Sequence, residues 1–312
     1  MVEGYRIVMR NDDEKICNAI KKRIQYQLNH SWVGVLNSSQ KDFFLNNFSY
    51  DDQIIGYILL DMLLLQNHEQ EKQLVKSLIR KFKSSIYNNL RITKNQNSTE
   101  IESVILLEME KTCFIPVTDK NPSDSSNAWT SIIREQVGMS DCFYDMSKIP
   151  LLLALNKKYI VFFDDMLGSG NQFDTFLSEK KYYINEKRRV SIWELLSINE
   201  QKVYYLCLAG YKEGIDMIKE KYNGIEIIEA EFFDEDDNIL SENNEYWAYY
   251  DDEFRDRMIN RIKEILEEKG IEVPFTRNLS VIFERNRPSN TVFPLYWEKK
   301  DNWAPIKARE GD

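Results

Sequence analysis

Histidine is nearly missing from this chain of 312 residues: His30 and His68 are the only two, both in its N-terminal part. A Ser-His-Asp or Cys-His triad, or a His-rich zinc site, would have to be built from this pair, and their neighbours lack the spacing of a base or a ligand. Cysteine is as sparse. Cys17, Cys113, Cys142 and Cys207 are scattered without paired spacing, which excludes a disulfide framework and a cysteine zinc site and reads as free thiols of a reducing compartment. No set of side chains with metal-ligand spacing is present. The longest apolar run, Ile54 to Leu65, is broken by Gly56 and Asp61 and is too short to span a bilayer. Met1 is followed by a mixed, charged stretch instead of an apolar signal region, so a soluble, cytoplasmic protein without membrane contact is expected. A basic excess is lacking too: the net charge is -10 and the pI about 5.0, against a general nucleic-acid binder, which needs a dense basic surface.

What is present is core material, with 43% apolar and 12% aromatic residues, enough for one large domain or two modest ones. Charge is uneven. Glu226 to Asp256 is dense in acids with a single Arg, whereas Lys72 to Lys83 and Lys180 to Arg189 are rich in Lys and Arg. The ordinary fate of such runs is a solvated face; a local nucleic-acid contact on the Lys72–Lys83 segment, through Lys76 and Arg80, is the alternative.

Three regions follow from the periodicity. Residues 1–100 read as a helical N-terminal layer. Ile16, Ile20, Ile24 and Leu28 form one stripe behind the cap candidates Asp12 and Asp13, a second helix starts at Ser49 to Gln53 and stays apolar to Leu65, and a third runs from Gln70 to about Tyr87. Residues 101–232 alternate short apolar strands (Thr112–Val117, Tyr159–Phe163, Val203–Ala209, Ile225–Phe232) with helices near 128–137, 172–177, 192–197 and 214–222. That pattern predicts an α/β fold, a doubly wound and mainly parallel sheet. Residues 233–312 hold an acidic loop, an amphipathic helix over Asp251–Lys269, a strand at Leu279–Phe283 and an Asn, Pro and Trp tail that packs on the core.

The chemistry points to one stretch. The strand Ile160-Val161-Phe162-Phe163 runs into Asp164 and Asp165, then Met166, Leu167, Gly168, Ser169, Gly170, Asn171 and Gln172 at the head of a helix. In an open parallel sheet, ligands lie beyond the carboxyl ends of strands. Adjacent acids suit neighbouring ribose hydroxyls, and the glycines and the helix start point N–H groups at an anion. A diol seat beside a phosphate seat fits a sugar phosphate. The plain alternative is a buried strand ending in a turn whose acids cap the next helix.

Ile160 to Gly170 resembles, position for position, the phosphoribosyl-pyrophosphate signature of type I phosphoribosyltransferases: four apolar residues, two acids, three variable positions, then Thr or Ser and Gly. The resemblance implies that Asp164 and Asp165 hold the ribose 2′- and 3′-hydroxyls as the catalytic pair, and that Met166 to Gln172 wrap the 5′-phosphate with Ser169 as a hydroxyl donor. Gln172 departs from the family, where Thr is common. A diphosphate loop is expected after the first core strand, within Pro116 to Trp129, where Lys120, Ser123, Ser125, Ser126 and Asn127 are the candidates; an ordinary connection is the alternative. Mg2+, bound with the diphosphate, is the cofactor so implied.

The tail Arg285 to Trp297, with Trp303, Pro305 and Arg309, is similar to that of phosphoribosyltransferase-like proteins of bacterial conflict systems, including retron-associated antiphage effectors; Ser289 and Ile306 depart from the pattern. Asn290 and Trp297 could bind a base there, or form a structural clasp. The resemblance implies a toxic effector acting on a phosphorylated ribose or nucleotide, restrained by a regulatory protein or nucleoprotein partner. The competing reading is a nucleotide-binding sensor or partner-binding module on the same fold without catalysis.

Overall fold

A computed structural model describes residues 11–94, 101–117, 125–185, 188–268 and 278–283. In chain order the elements begin with α1 (Asn11–Asn29), α2 (Ser38–Leu45), α3 (Gln53–Asp61), β1 (Leu64–Gln66), α4 (His68–Lys94) and α5 (Ile101–Glu110). They continue with β2 (Thr112–Pro116), α6 (Ser125–Val137), α7 (Ile149–Ala154), β3 (Tyr159–Leu167), α8 (Asn171–Glu179), β4 (Lys181–Asn185) and β5 (Arg188–Ser191). The last are α9 (Ile192–Ile198), β6 (Lys202–Tyr211), α10 (Lys212–Lys221), β7 (Ile225–Phe233), α11 (Asp252–Glu268) and β8 (Val281–Phe283). The chain divides into two compact units: residues 71–233, and residues 1–70 together with 234–312.

The unit of residues 71–233 is the α/β part. Its four-stranded sheet is wholly parallel in the order β2-β3-β6-β7, as buried apolar strands without alternation require. One face carries Cys113, Ile115, Ile160, Phe162, Val203, Tyr205, Cys207, Ile225 and Ile227, packed against apolar residues of α7, α8, α9 and α10. The other face meets α4 and α6: Phe82 stands edge-on to Phe114 and Tyr204 at 5.8 and 4.9 Å, and Trp129 and Ile133 line a small cavity with Val75, Phe163, Leu206 and Leu208. Helices on both faces of a parallel sheet make the doubly wound arrangement that the alternation predicts. Two features go beyond the expectation. β3 continues four residues past Phe163, because Asp164 pairs with Cys207, Met166 with Ala209 and Leu167 with Gly210 on the still longer β6. Between α8 and α9 the chain also makes an antiparallel hairpin of β4 and β5, whose Lys, Tyr and Arg residues carry no apolar run to announce it.

The other unit gathers both ends of the sequence around one core, in which Ile20, Ile24, Leu28, Trp32, Phe44, Ile58 and Leu59 pack with Trp247, Met258, Ile262 and Ile282. Two partly buried ion pairs join the pieces: Arg257 of α11 to Asp13 at 2.8 Å, and Arg261 to Asp52 at 2.8 Å. The apolar segment expected to run as helix to Leu65 stops at Asp61; Leu64–Gln66 is instead a strand, parallel to Val281–Phe283. Where the sequence pattern puts a boundary at residue 100, the units divide at 70/71, inside the first turn of α4, so α4 and α5 fall with the sheet. No helix among the described residues is long and apolar enough to cross a membrane.

Candidate ligand site at the end of β3

The site begins with a strand that has no solvent-facing side. From Tyr159 to Asp165 every residue is buried, and Asp164 and Asp165 are only 7% and 6% exposed. They therefore lie inside β3 and not after its end, a difference from the reading that had them emerge from the strand. Asp164 Oδ1 accepts the N–H of Asp165 at 2.9 Å. On the neighbouring β6, burial first and then the charge of Asp164 push the Tyr205 hydroxyl well up. The Cys207 thiol is raised in the same way, by burial, then by Glu229 and Asp164. Both groups stay protonated beside the acids.

The expected ligand loop of Met166 to Gln172 is shorter than the motif suggests. Met166 and Leu167 are the last residues of β3, and Leu167 is buried in the core, so it cannot wrap a phosphate with its side chain. The free turn is Gly168-Ser169-Gly170, after which Asn171 and Gln172 open α8 with exposed side chains. Gly170 is the cap residue in the left-handed region, φ +79°, which glycine adopts without a Cβ penalty. It brings no side chain to cap the helix, and the one side-chain acceptor close by is Ser169 Oγ, 3.4 Å from the Asn171 nitrogen. First-turn N–H groups lacking intrahelical partners, together with the positive end of the helix dipole, favour an anion here.

A second helix, α10, expected near residues 214–222 but with no part in the site as the sequence reads, backs this turn. A Cβ placed on Gly214, in the first turn of α10, would overlap the Gly168 carbonyl oxygen and come within 2.9 Å of Gly170 N. The Asp174 carboxylate of α8 receives Lys221 Nζ at 2.6 Å and the Tyr222 hydroxyl. The two helices thus lie side by side with both N-terminal ends at the turn. The signal in the sequence is the Gly of Tyr211-Lys212-Glu213-Gly214, which follows an apolar strand where a helix former would be expected.

The other expected residues are placed as follows. β2 runs beside β3, and Val117 N–H donates to Phe163 O at 3.0 Å, so Val117 lies next to the strand position before Asp164. Lys120 and Ser123 of the diphosphate candidates lie outside the described residues. Ser125, Ser126 and Asn127 form the first turn of α6, which starts three residues earlier than the periodicity indicates. Asn290 and Trp297 lie outside the described residues as well. His30 lies on the surface with its ring tilted against that of Tyr26, centroids 4.3 Å apart.

A parallel sheet with paired acids near the carboxyl end of a central strand, followed by a glycine-flanked serine and a helix start, is the framework of a phosphoribosyltransferase-like protein. The chain belongs to the PRTase-CE family, whose sequence profile matches residues 42–309. Among solved structures it is similar to the AQ2163 protein of Aquifex aeolicus, with 14% identity over 40% of this chain and 56% of that one and a TM-score of 0.26. It is also similar to the orotate phosphoribosyltransferase of Aeropyrum pernix, with 12% identity over 42% of this chain and 72% of that one and a TM-score of 0.24. The chain thus spans little more than half of the Aquifex protein. No curated protein matches it.

Proposed function

We propose that this chain binds a ribose 5-phosphate, as phosphoribosyl pyrophosphate or a nucleotide, at the turn Gly168–Gly170, and transfers or cleaves at the anomeric carbon of that ribose. The observation that carries this reading is the start of α8, with no side-chain cap from Gly170, directly beyond the buried acids of β3. Its N–H groups and Ser169 take the 5′-phosphate, and Asp164 and Asp165 take the ribose. When the bond from the anomeric carbon to pyrophosphate or a base breaks, the electron pair leaves with that group and the ring becomes cationic; Asp165 stabilises this charge more directly than Asp164. The described residues hold no group of three or more His, Cys, Asp or Glu side chains suited to a metal. This fits Mg2+ held by one or two carboxylates and the diphosphate oxygens, and not by an all-protein cage. Asp164 or Asp165 would complete its shell, and the ion would neutralise charge on the leaving diphosphate.

Membership of the PRTase-CE family and the tail Arg285 to Trp297 support a wider reading: a cytoplasmic effector of an antiphage or retron system, toxic through a host nucleotide or cofactor, restrained by a regulatory protein or nucleoprotein partner. Calorimetric titration with phosphoribosyl pyrophosphate and Mg2+, with NAD and ATP alongside, tests the site. Binding to the wild type that Asp165→Asn abolishes supports it; no binding of any ribose phosphate refutes it. One observation favours a second reading, a sensor that binds without turnover: both acids are held inside the strand, where successive side chains leave in opposite directions. Binding without product formation across nucleotides would select that reading.

A further inference from the structure

We infer that Gly214 of α10 is a positioning residue for the ligand turn, so that the backbone path of Gly168–Gly170 is set by the surface of a neighbouring helix and not by the signature alone. The inference rests on the ribose-phosphate reading of that turn. A glycine in a helix costs about 0.5–1 kcal/mol relative to alanine, so it is retained where something excludes a side chain. Gly34, Gly138, Gly170 and Gly224 have positive φ, and three of these, Gly34, Gly138 and Gly224, face open space; Gly214 is not among the positive-φ residues. What excludes a side chain at Gly214 is backbone: the carbonyl of Gly168, and Gly170 N at 2.9 Å. At Gly210, by contrast, an added Cβ would meet side-chain atoms, Ile215 Cδ1 at 2.9 Å and Glu229 Cβ at 3.0 Å. Ile215 can rotate away, and Glu229 Cβ need give only a few tenths of an ångström. The carbonyl of a three-residue turn can yield only by moving the turn.

The contact is reciprocal. A Cβ on Gly170 would lie 2.6 Å from Met217 Cε and 3.2 Å from Gly214 O, so the turn and α10 each exclude a methyl group from the other. Asp174, one turn beyond Gly170 on α8, is tied to Lys221 and Tyr222 at the far end of α10, and Tyr222 is braced edge-on by Trp193 at 5.2 Å. α8 therefore cannot retreat as a body to make room at its N-terminal end. A side chain at 214 must be absorbed by Gly168–Gly170, the segment whose N–H groups have to converge on one anion. Hydrogen bonds weaken steeply with misdirection, so a displacement of about an ångström is enough to lose them.

The test combines amide hydrogen exchange over residues 166–172 with calorimetric binding of phosphoribosyl pyrophosphate and Mg2+, on the full chain. Gly214→Ala is expected to quicken exchange in that stretch and to weaken binding at least tenfold. Gly224→Ala, which strains a turn facing open space, is the control for a purely structural loss: it should lower the melting temperature and leave affinity as in the wild type. If Gly214→Ala does not fold, Met217→Ala carries the test, since it removes the side chain under Gly170 from a half-buried position and should quicken exchange and weaken binding a few-fold. Unchanged exchange in the variant overturns the seating of the turn, and quickened exchange with wild-type affinity overturns its role in binding. A wild type that binds no ribose phosphate, with exchange still quickened by Gly214→Ala, refutes the ligand reading and with it the ligand role of Gly214, leaving only the seat.

Discussion

The two compact units are cohesive for different reasons. The sheet unit is held by apolar burial within one continuous stretch of chain: β3 pairs with β6 and β6 with β7, and α8 to α10 cover one face of that sheet. The other unit is assembled from segments about two hundred residues apart, and at its seams it uses partly buried arginine-carboxylate pairs, Arg257 with Asp13 and Arg261 with Asp52. Local apolar packing tolerates changes that keep volume. A buried ion pair tolerates the loss of neither partner, because the remaining charge is stranded. The unit that carries the site is thus the one built on the more forgiving principle, and the unit made of both chain ends depends on a few specific contacts.

The largest effect expected from a single change tests the apolar side of this contrast. Phe162 is fully buried and packs against Phe173 and Phe176 with ring centroids 5.5 and 5.3 Å away. Phe162→Ala should cost about 4 kcal/mol, while Phe162→Leu should cost much less. Urea unfolding followed by exchange protection of β3 and β6 checks both; equal losses for Ala and Leu would show that shape, not volume, governs this core.

Arg261→Ala comes next. The guanidinium donates from Nε and Nη2 to the two Asp52 oxygens at 2.8 and 2.9 Å, and both side chains are 12% exposed. Burial works against the Asp52 charge, and the bonds from Arg261 outweigh it and hold the carboxyl below its ordinary value. Removing the guanidinium should cost about 3 kcal/mol, and Arg261→Lys should recover only part of that, since an ammonium lacks the two-pronged geometry. The loss should show in exchange of α1, α3 and α11 before it shows in the sheet. Simultaneous loosening of both units would break the contrast.

Besides the Asp174–Lys221 pair, the sheet unit has a buried ionic device at the start of β3. Glu108 is buried, which raises its pKa, but Lys111, Lys158 and the Tyr159 hydroxyl bond to it and bring it down to about 2. A carboxyl depressed on folding contributes stability above its unfolded value, near 4.5, and loses it as the pH falls through 4.5 toward 2. The urea midpoint should therefore decline over that window, by less than either substitution costs. In Glu108→Gln that part of the slope should disappear, with a lower midpoint at pH 7.

How much of this was legible in the sequence depended on whether a feature was local. The apolar runs of β2, β3, β6 and β7 announce themselves, and so do the helices between them. The far end of β3 does not, because Asp164 and Asp165 look like a strand end while pairing with β6 carries the strand to Leu167. β8 falls within the strand expected at Leu279–Phe283, but its partner β1, three residues of which Leu64 and Leu65 read as helix, exists only through that pairing across more than two hundred positions. The acids and the glycine-serine-glycine turn of the site are visible in one window of sequence. Gly214 is not, since its reason for being glycine is a carbonyl more than forty residues away.

The smallest expected effect on stability separates the site from the fold that carries it. Ser169 is half-buried, and its hydroxyl oxygen accepts only a long bond from Asn171 N–H, at 3.4 Å. Ser169→Ala should change unfolding free energy by no more than about 0.5 kcal/mol, the range of substitutions that touch no core, cap or network. If the hydroxyl donates to a 5′-phosphate, the same change should weaken binding of phosphoribosyl pyrophosphate about tenfold, since a hydrogen bond to a charged group contributes about 1.5 kcal/mol or more. Ser169→Thr keeps the hydroxyl and should bind within a few-fold of the wild type. A melting curve and a titration on the same three proteins decide the matter. Wild-type affinity in Ser169→Ala would mean that the helix start of α8 holds the anion through its backbone alone.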